Sequence, residues 1–126
     1  ISVTGVQTCA LPISLASAYR RALTGAVRPL AQVEAGHVYH LFVVRTDNRE
    51  LLRAHLDRSG IATLIHYPVP LPEQPAFGPP RGHSCPVAQT AATQIVSLPL
   101  HPRLTDDDVR VVAAAVADFE KGQRFA

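Results

Sequence analysis

The chain has 126 residues, 47% of them apolar and 17% charged, with a formal net charge of +2. That is the size of one domain or part of a larger one, with enough apolar sequence for a modest core and no disordered signature. Its eleven Arg stand singly or in one pair, which argues against a nucleic-acid footprint, and no apolar run approaches the roughly eighteen residues of a membrane span.

Residues 1–14 stand apart. Val3-Thr4-Gly5-Val6-Gln7-Thr8-Cys9-Ala10-Leu11-Pro12-Ile13 resembles one reading frame of a common short-read sequencing adapter, and the chain contains no Met. A signal peptide fits poorly: there is no positive n-region, and Gly5, Gln7, Thr8 and Pro12 interrupt the apolar stretch. The expected organisation is a non-native leader over 1–14, a connecting helix and linker over 15–36, a domain over 37–122 and a tail over 123–126. Cys9 falls in the leader, and Cys9 with Cys85 makes a weak disulfide framework.

Leu15 to Val27 reads as an Ala-rich helix that frays at Gly25, with Leu15, Ala18, Tyr19 and Ala22 at helical spacing. Residues 28–36 read as a polar connector. Val38 to Thr46 is a nearly continuous apolar run with β-branched and aromatic residues, which predicts a strand buried on both faces. Asp47 and Glu50 have the spacing of a capping box for a helix carrying Leu51, Leu52, His55 and Leu56 and stopping at Gly60. Ile61 to His66 reads as a second strand.

From Pro68 to Pro86 the chain holds seven prolines, which excludes a helix or central strand. A loop this long inside a domain is commonly functional, and Leu71, Ala76 and Phe77 within it argue for a packed loop lining a site. Pro86 suits the first turn of a helix to about Gln94. Ile95 to Leu98 is a short strand ended by Pro99. A last helix starts at Thr105, with Asp106, Asp107 and Asp108 at its positive end and an apolar stripe of Val109, Val112, Val116 and Phe119. The order predicts an α/β (α+β) fold, a small sheet with helices packed on one face.

The six histidines are the first candidates for chemistry. On a strand, His37 and His40 would point to opposite faces and could not share an ion. His83 and Cys85 could supply two ligands, but a structural zinc needs four and no second pair is suitably spaced. Cys85, Ser84 and Ser97 lack the glycines of a nucleophile elbow, and an isolated Cys is more often a small buried hydrophobe. His66-Tyr67-Pro68 differs, because both rings sit where a strand gives way to a rigid loop. The residues alone leave open whether the two rings merely pack and cap that loop.

Gly60-Ile61-Ala62-Thr63-Leu64-Ile65-His66-Tyr67-Pro68-Val69-Pro70-Leu71-Pro72-Glu73-Gln74-Pro75-Ala76-Phe77 resembles the small C-terminal domain of the DegT/DnrJ/EryC1/StrS family of pyridoxal-phosphate sugar aminotransferases. His40-Leu41-Phe42-Val43-Val44-Arg45 and Ser97-Leu98-Pro99-Leu100-His101-Pro102 extend the match, which is strong over 38–104. The resemblance implies the C-terminal domain of a fold-type I aminotransferase. The intact enzyme would use pyridoxal 5'-phosphate and act on a nucleotide-linked keto sugar with an amino-acid donor, typically glutamate. It further implies a cytoplasmic homodimer with neither nucleic-acid nor membrane partner. On the same basis the substrate-binding residues are His66, Tyr67, Gln74, His40 and Arg45. The family commonly has His where Pro72 stands and Tyr where Phe77 stands, and both departures remove a polar handle.

The coenzyme chemistry needs a lysine for the Schiff base. Lys121 is the only lysine, and its place just ahead of Gly122 in the last helix suits a solvated cation at the dipole. No glycine-rich phosphate loop is present. The expectation is therefore that the catalytic lysine and cofactor cradle lie in a large upstream domain outside this chain, and that no catalytic or cofactor-binding residue lies within it. The alternative is a non-catalytic regulatory or interaction domain of the same family.

Overall fold

A computed structural model of the chain describes residues 5–77 and 85–123, the side chains of 5–10 excepted. In chain order come α1 (Gly5–Ala22), β1 (Arg28–Pro29), β2 (Phe42–Arg45), α2 (Arg49–Arg58), two 3-10 turns (Leu71–Glu73 and Pro75–Phe77), α3 (Pro86–Gln94), β3 (Ile95–Leu98) and α4 (Asp106–Gln123). The strands form one antiparallel sheet in the order β1-β2-β3. Phe42 lies opposite Leu98, Val43 opposite Ser97, Val44 opposite Val96 and Arg45 opposite Ile95. Alternation along the strands then sends Phe42, Val44, Val96 and Leu98 into a core shared with α1, α2 and α4. Ala92 of α3 is buried but stands outside this core. The small sheet with helices on one face is thus present.

Helix α4 follows its sequence pattern. Val109, Val112, Val116 and Phe119 are all buried. At its start the Asp108 carboxylate accepts the Thr105 amide at 2.8 Å and the Thr105 hydroxyl at 2.7 Å, while the Asp108 amide donates to Thr105 Oγ1 at 3.2 Å. The amide and hydroxyl of Thr105 hold the Asp108 carboxyl below its ordinary value of 3.8. Helix α1 is anchored by Tyr19, which is fully buried and stacks on Phe42 with ring centroids 4.8 Å apart. Its hydroxyl donates to the Pro99 carbonyl at 3.0 Å. Burial, and secondarily the charge of Asp108, pushes that hydroxyl well above its ordinary value of 10.

Other elements depart from expectation. Helix α1 runs back to Gly5 with Pro12 inside it, although its buried residues among the described side chains begin at Leu15. It ends at Ala22, short of Val27. After it, a Cβ on Gly25 would fall 1.9 Å from Glu120 Oε2, and the same carboxylate accepts the Val27 amide at 2.7 Å. Arg28 and Pro29, expected in a connector, pair with Arg45 and Val44. Strand β2 starts at Phe42 and not at Val38, because Tyr39 has φ 55°, a left-handed conformation that ends extended backbone.

The capping box of Asp47 and Glu50 is not formed. The N-cap of α2 is Asn48, whose side chain makes no capping bond. Asp47 accepts from Gln94 Nε2 at 2.6 Å, and Glu50 pairs with Arg49 and Arg53. Gly60 does follow this helix with φ 73°. Ile61 to His66 is reduced to a single bridge, Leu64 opposite Ser97. Continuing that ladder toward Ala62 would require an amide from Pro99, which has none. The proline-rich segment, expected to hold no helix, contains the two three-residue 3-10 turns, short enough to be compatible with proline.

Glu120→Ala should lower stability by about 1–2 kcal/mol through loss of the charge-assisted bond to Val27. Gly25→Ala should lose a similar amount by expelling the carboxylate, yet become neutral or stabilising in the Glu120→Ala background, as urea denaturation of the double-mutant cycle will show. Because its folded pKa is depressed, Asp108 stabilises the fold above its unfolded value, and the effect disappears as pH falls through the folded value. Thermal melts from roughly pH 5 to pH 2 should therefore show a shallower acid loss for Asp108→Asn than for the parent chain.

Candidate functional site

The Leu64–Ser97 bridge leads directly to the site. Ser97 donates its amide to the Leu64 carbonyl at 2.8 Å and accepts the Leu64 amide at 3.3 Å. Two residues on, His66 is half-buried, with Nδ1 2.9 Å from Ser97 Oγ. Ser97 itself is 5% exposed. Since Val96 and Leu98 face the core, the Ser97 side chain lies on the opposite face of the sheet. A hydroxyl buried there without a partner would cost about 1–3 kcal/mol. The bond to His66 removes that penalty.

The His66–Tyr67 peptide is cis. The Tyr67 ring stands edge-on to the imidazole, with centroids 5.7 Å apart and planes at 87°, and is 71% exposed. It borders a groove of about 510 Å³ between Val69, Leu71 and Gln74 of the loop and Ala88 and Ala91 of α3. Small side chains on α3 leave the space open. Gln74 Nε2 lies 3.5 Å from the Val69 carbonyl, and the Gln74 carbonyl accepts the Phe77 amide at 3.0 Å, so this residue braces the loop as well as lining the groove. Glu73 accepts from Gln89 and ties the loop to α3.

Leu71, Ala76 and Phe77 are exposed, so the loop lines a groove without packing these side chains into the domain. That corrects the expectation of a packed loop. His83 and Ser84 lie outside the described residues.

Two of the five expected site residues lie elsewhere. His40 is exposed and lines a cavity of about 300 Å³ with Arg20, Gln32 and Tyr39. Arg45 bonds Gln94 and borders a hollow of about 410 Å³ with Arg28, Thr46 and Asp47. The fold brings together His66, Tyr67 and Gln74 and sets His40 and Arg45 apart. His37 and His40 precede β2 and do not sit on a strand. His37 Nδ1 accepts the Tyr39 amide at 3.0 Å, within the turn that precedes β2.

Sequence alone does not single out Ser97 as a partner of His66. Its partnership with His66 is a tertiary contact between residues 31 positions apart, and the one sequence signal was its place in the Ser97-Leu98-Pro99 run. A second unforeseen group is the clasp over the connector. Arg20 donates to Tyr39 Oη at 3.2 Å and to the Leu30 carbonyl at 2.7 Å, and Tyr39 donates to Gln32 Oε1 at 2.6 Å.

Among the described residues no three His, Cys, Asp or Glu side chains converge on a metal site, and Cys85 is an exposed free thiol. The residues present do not fit pyridoxal phosphate. The sole lysine, Lys121, is exposed on α4 and pairs with Asp118 at 3.1 Å, and among the described residues the groove wall carries no cation to meet a phosphate.

Residues 11–117 match the DegT/DnrJ/EryC1/StrS aminotransferase family. The chain is 43% identical over 100 residues to the dTDP-3-amino-3,4,6-trideoxy-α-D-glucose transaminase of Streptomyces venezuelae, covering 77% of this chain and 26% of that protein. It is 40% identical over 90 residues to the UDP-2-acetamido-2-deoxy-3-oxo-D-glucuronate aminotransferase of Pseudomonas aeruginosa, covering 71% and 25%. The solved structure of S. venezuelae DesV in complex with a ketimine intermediate superposes with a TM-score of 0.86 at 36% identity, covering 94% of this chain and 33% of that one. The chain spans about a quarter of the length of these curated relatives. Sequence and fold agree over most of its residues: the chain belongs to the DegT/DnrJ/EryC1/StrS aminotransferase family.

Proposed function

We propose that residues 37–122, with α1 packed against them, form the C-terminal domain of an enzyme that passes an amino group from an amino acid, glutamate by family resemblance, to a keto sugar carried on a nucleoside diphosphate. Two relatives support this reading, since both are named for sugars linked to dTDP or UDP. The observation that carries it is the setting of His66. Its Nδ1 is engaged by Ser97, Nε2 has no partner among the described residues, and an open groove begins at the neighbouring Tyr67.

In this reading His66 meets an oxygen of the sugar nucleotide, and Tyr67 offers an exposed ring against which a sugar or base can lie. Val69 and Leu71 exclude water from that side, and Gln74 keeps the loop in shape. Pyridoxal phosphate, bound through a lysine outside this chain, would supply the electron sink for amino transfer. The intact protein would be a homodimer working in the cytoplasm.

Two measurements check this. Purified 126-residue chain mixed with pyridoxal phosphate should show no visible aldimine band and transfer no amino group from glutamate; a stoichiometric band would contradict the assignment of the lysine to another part of the polypeptide. In the intact enzyme, His66→Ala should raise KM for the nucleotide sugar about tenfold, a hydrogen bond's worth of binding. An unchanged KM would remove His66 from the substrate wall.

A further inference from the structure

The hydrogen bond between Ser97 and His66 has two possible directions, and they are not equivalent. If the ring donated Nδ1–H to Ser97 Oγ, the serine hydrogen would sit in a buried position with no acceptor among the described residues. If the hydroxyl donates to a bare Nδ1, its single hydrogen is used and no buried donor is left over. Ser97 is only 5% exposed, so the second arrangement is the one that avoids an unpaired buried donor. With Nδ1 bare, the neutral ring carries its proton on Nε2.

We propose that Ser97 is a positioning residue that holds His66 as the Nε2–H tautomer, so that the imidazole presents a donor to an acceptor oxygen of the substrate. Phosphate and keto oxygens of a nucleotide-linked keto sugar can only accept, and its hydroxyls can do so. The inference rests on the reading that His66 meets that sugar nucleotide. Ser97 is held from both sides. Its backbone exchanges two hydrogen bonds with Leu64, and Val96 and Leu98 beside it are anchored in the core. The hydroxyl is therefore carried on a rigid element, and the ring two residues beyond Leu64 is placed by the same strand.

The test is two-bond ¹H–¹⁵N correlation of the His66 imidazole in the 126-residue chain, at a pH where the ring is neutral. The parent chain should show Nδ1 at the bare-nitrogen shift and Nε2 at the protonated shift. Ser97→Ala should move both toward the tautomer mixture of an unstructured histidine peptide in the same buffer, and Ser97→Thr, which keeps the hydroxyl, should retain the parent shifts. If Ser97→Ala does not fold, Ser97→Cys, a weak donor, replaces it with the same expected drift. An Nδ1–H tautomer in the parent, or parent shifts persisting in the hydroxyl-free variant, overturns the proposal. Contact with substrate is read separately, by adding UDP-N-acetylglucosamine or dTDP-glucose to the intact enzyme. An Nε2 shift that moves supports the donor role. One that stays put overturns the substrate part while leaving the hold of Ser97 on the ring as measured in the chain.

Discussion

The register between β2 and β3 is the constraint on which the rest depends. Pairing Val44 with Val96 and Phe42 with Leu98 puts four apolar side chains on the face covered by α1, α2 and α4. The same pairing puts Val43 and Ser97 on the other face. A slip of one residue would bury Ser97 in the helical core and expose Val96 and Leu98. The outer edge of β3 also receives Leu64, and through it the segment that ends in His66. One short strand thus commits its inward residues to stability and an outward residue to the contact with His66. Tyr19 closes the arrangement by reaching across the core to the Pro99 carbonyl, just beyond the strand.

The groove beside His66 is built differently. Its walls are a proline-rich loop with two 3-10 turns and the alanine face of α3, neither of which adds more than Ala92 to the buried residues. Proline stiffens the loop without needing backbone donors, and the Glu73–Gln89 and Gln74–Val69 bonds hold it against α3 and itself. The apolar side chains left exposed there, Val69 and Leu71 among them, give the wall a surface suited to covering a ligand. The chain's only lysine, Lys121, does not line this groove; it stands on α4, where it pairs with Asp118.

Much of this was legible in the sequence wherever the determinant is local. Thr105 with the aspartates, the four-residue stripe of α4, Pro86 at the head of α3 and Gly60 after α2 all act within a turn of their own position, and all appear where expected. The losses are tertiary. Tyr39 adopts a conformation usually left to glycine, stabilised by His37 and the Arg20 clasp, so the strand could not be bounded from its composition. Asp47 had the spacing of a cap but is drawn instead to Gln94, 47 residues away. Of the candidate site, the grouping of His66, Tyr67 and Gln74 was legible only through motif resemblance. The same motif also named His40 and Arg45, which the fold sends to separate hollows. Ser97 could not be seen because its importance lies in a contact across the sheet edge.

The family to which the chain belongs works with far longer polypeptides, and this chain corresponds to about a quarter of them. On the proposed reading, a rigid strand edge and loop shape one wall of a pocket, while the reactive amine comes from elsewhere. The most direct test is a crystal structure of the intact enzyme with a nucleotide-linked sugar bound. The account predicts His66 Nε2 about 3 Å from an oxygen of that ligand, with Ser97 still bonded to Nδ1. A ligand seated away from the Tyr67 groove, with His66 facing only water, would contradict it.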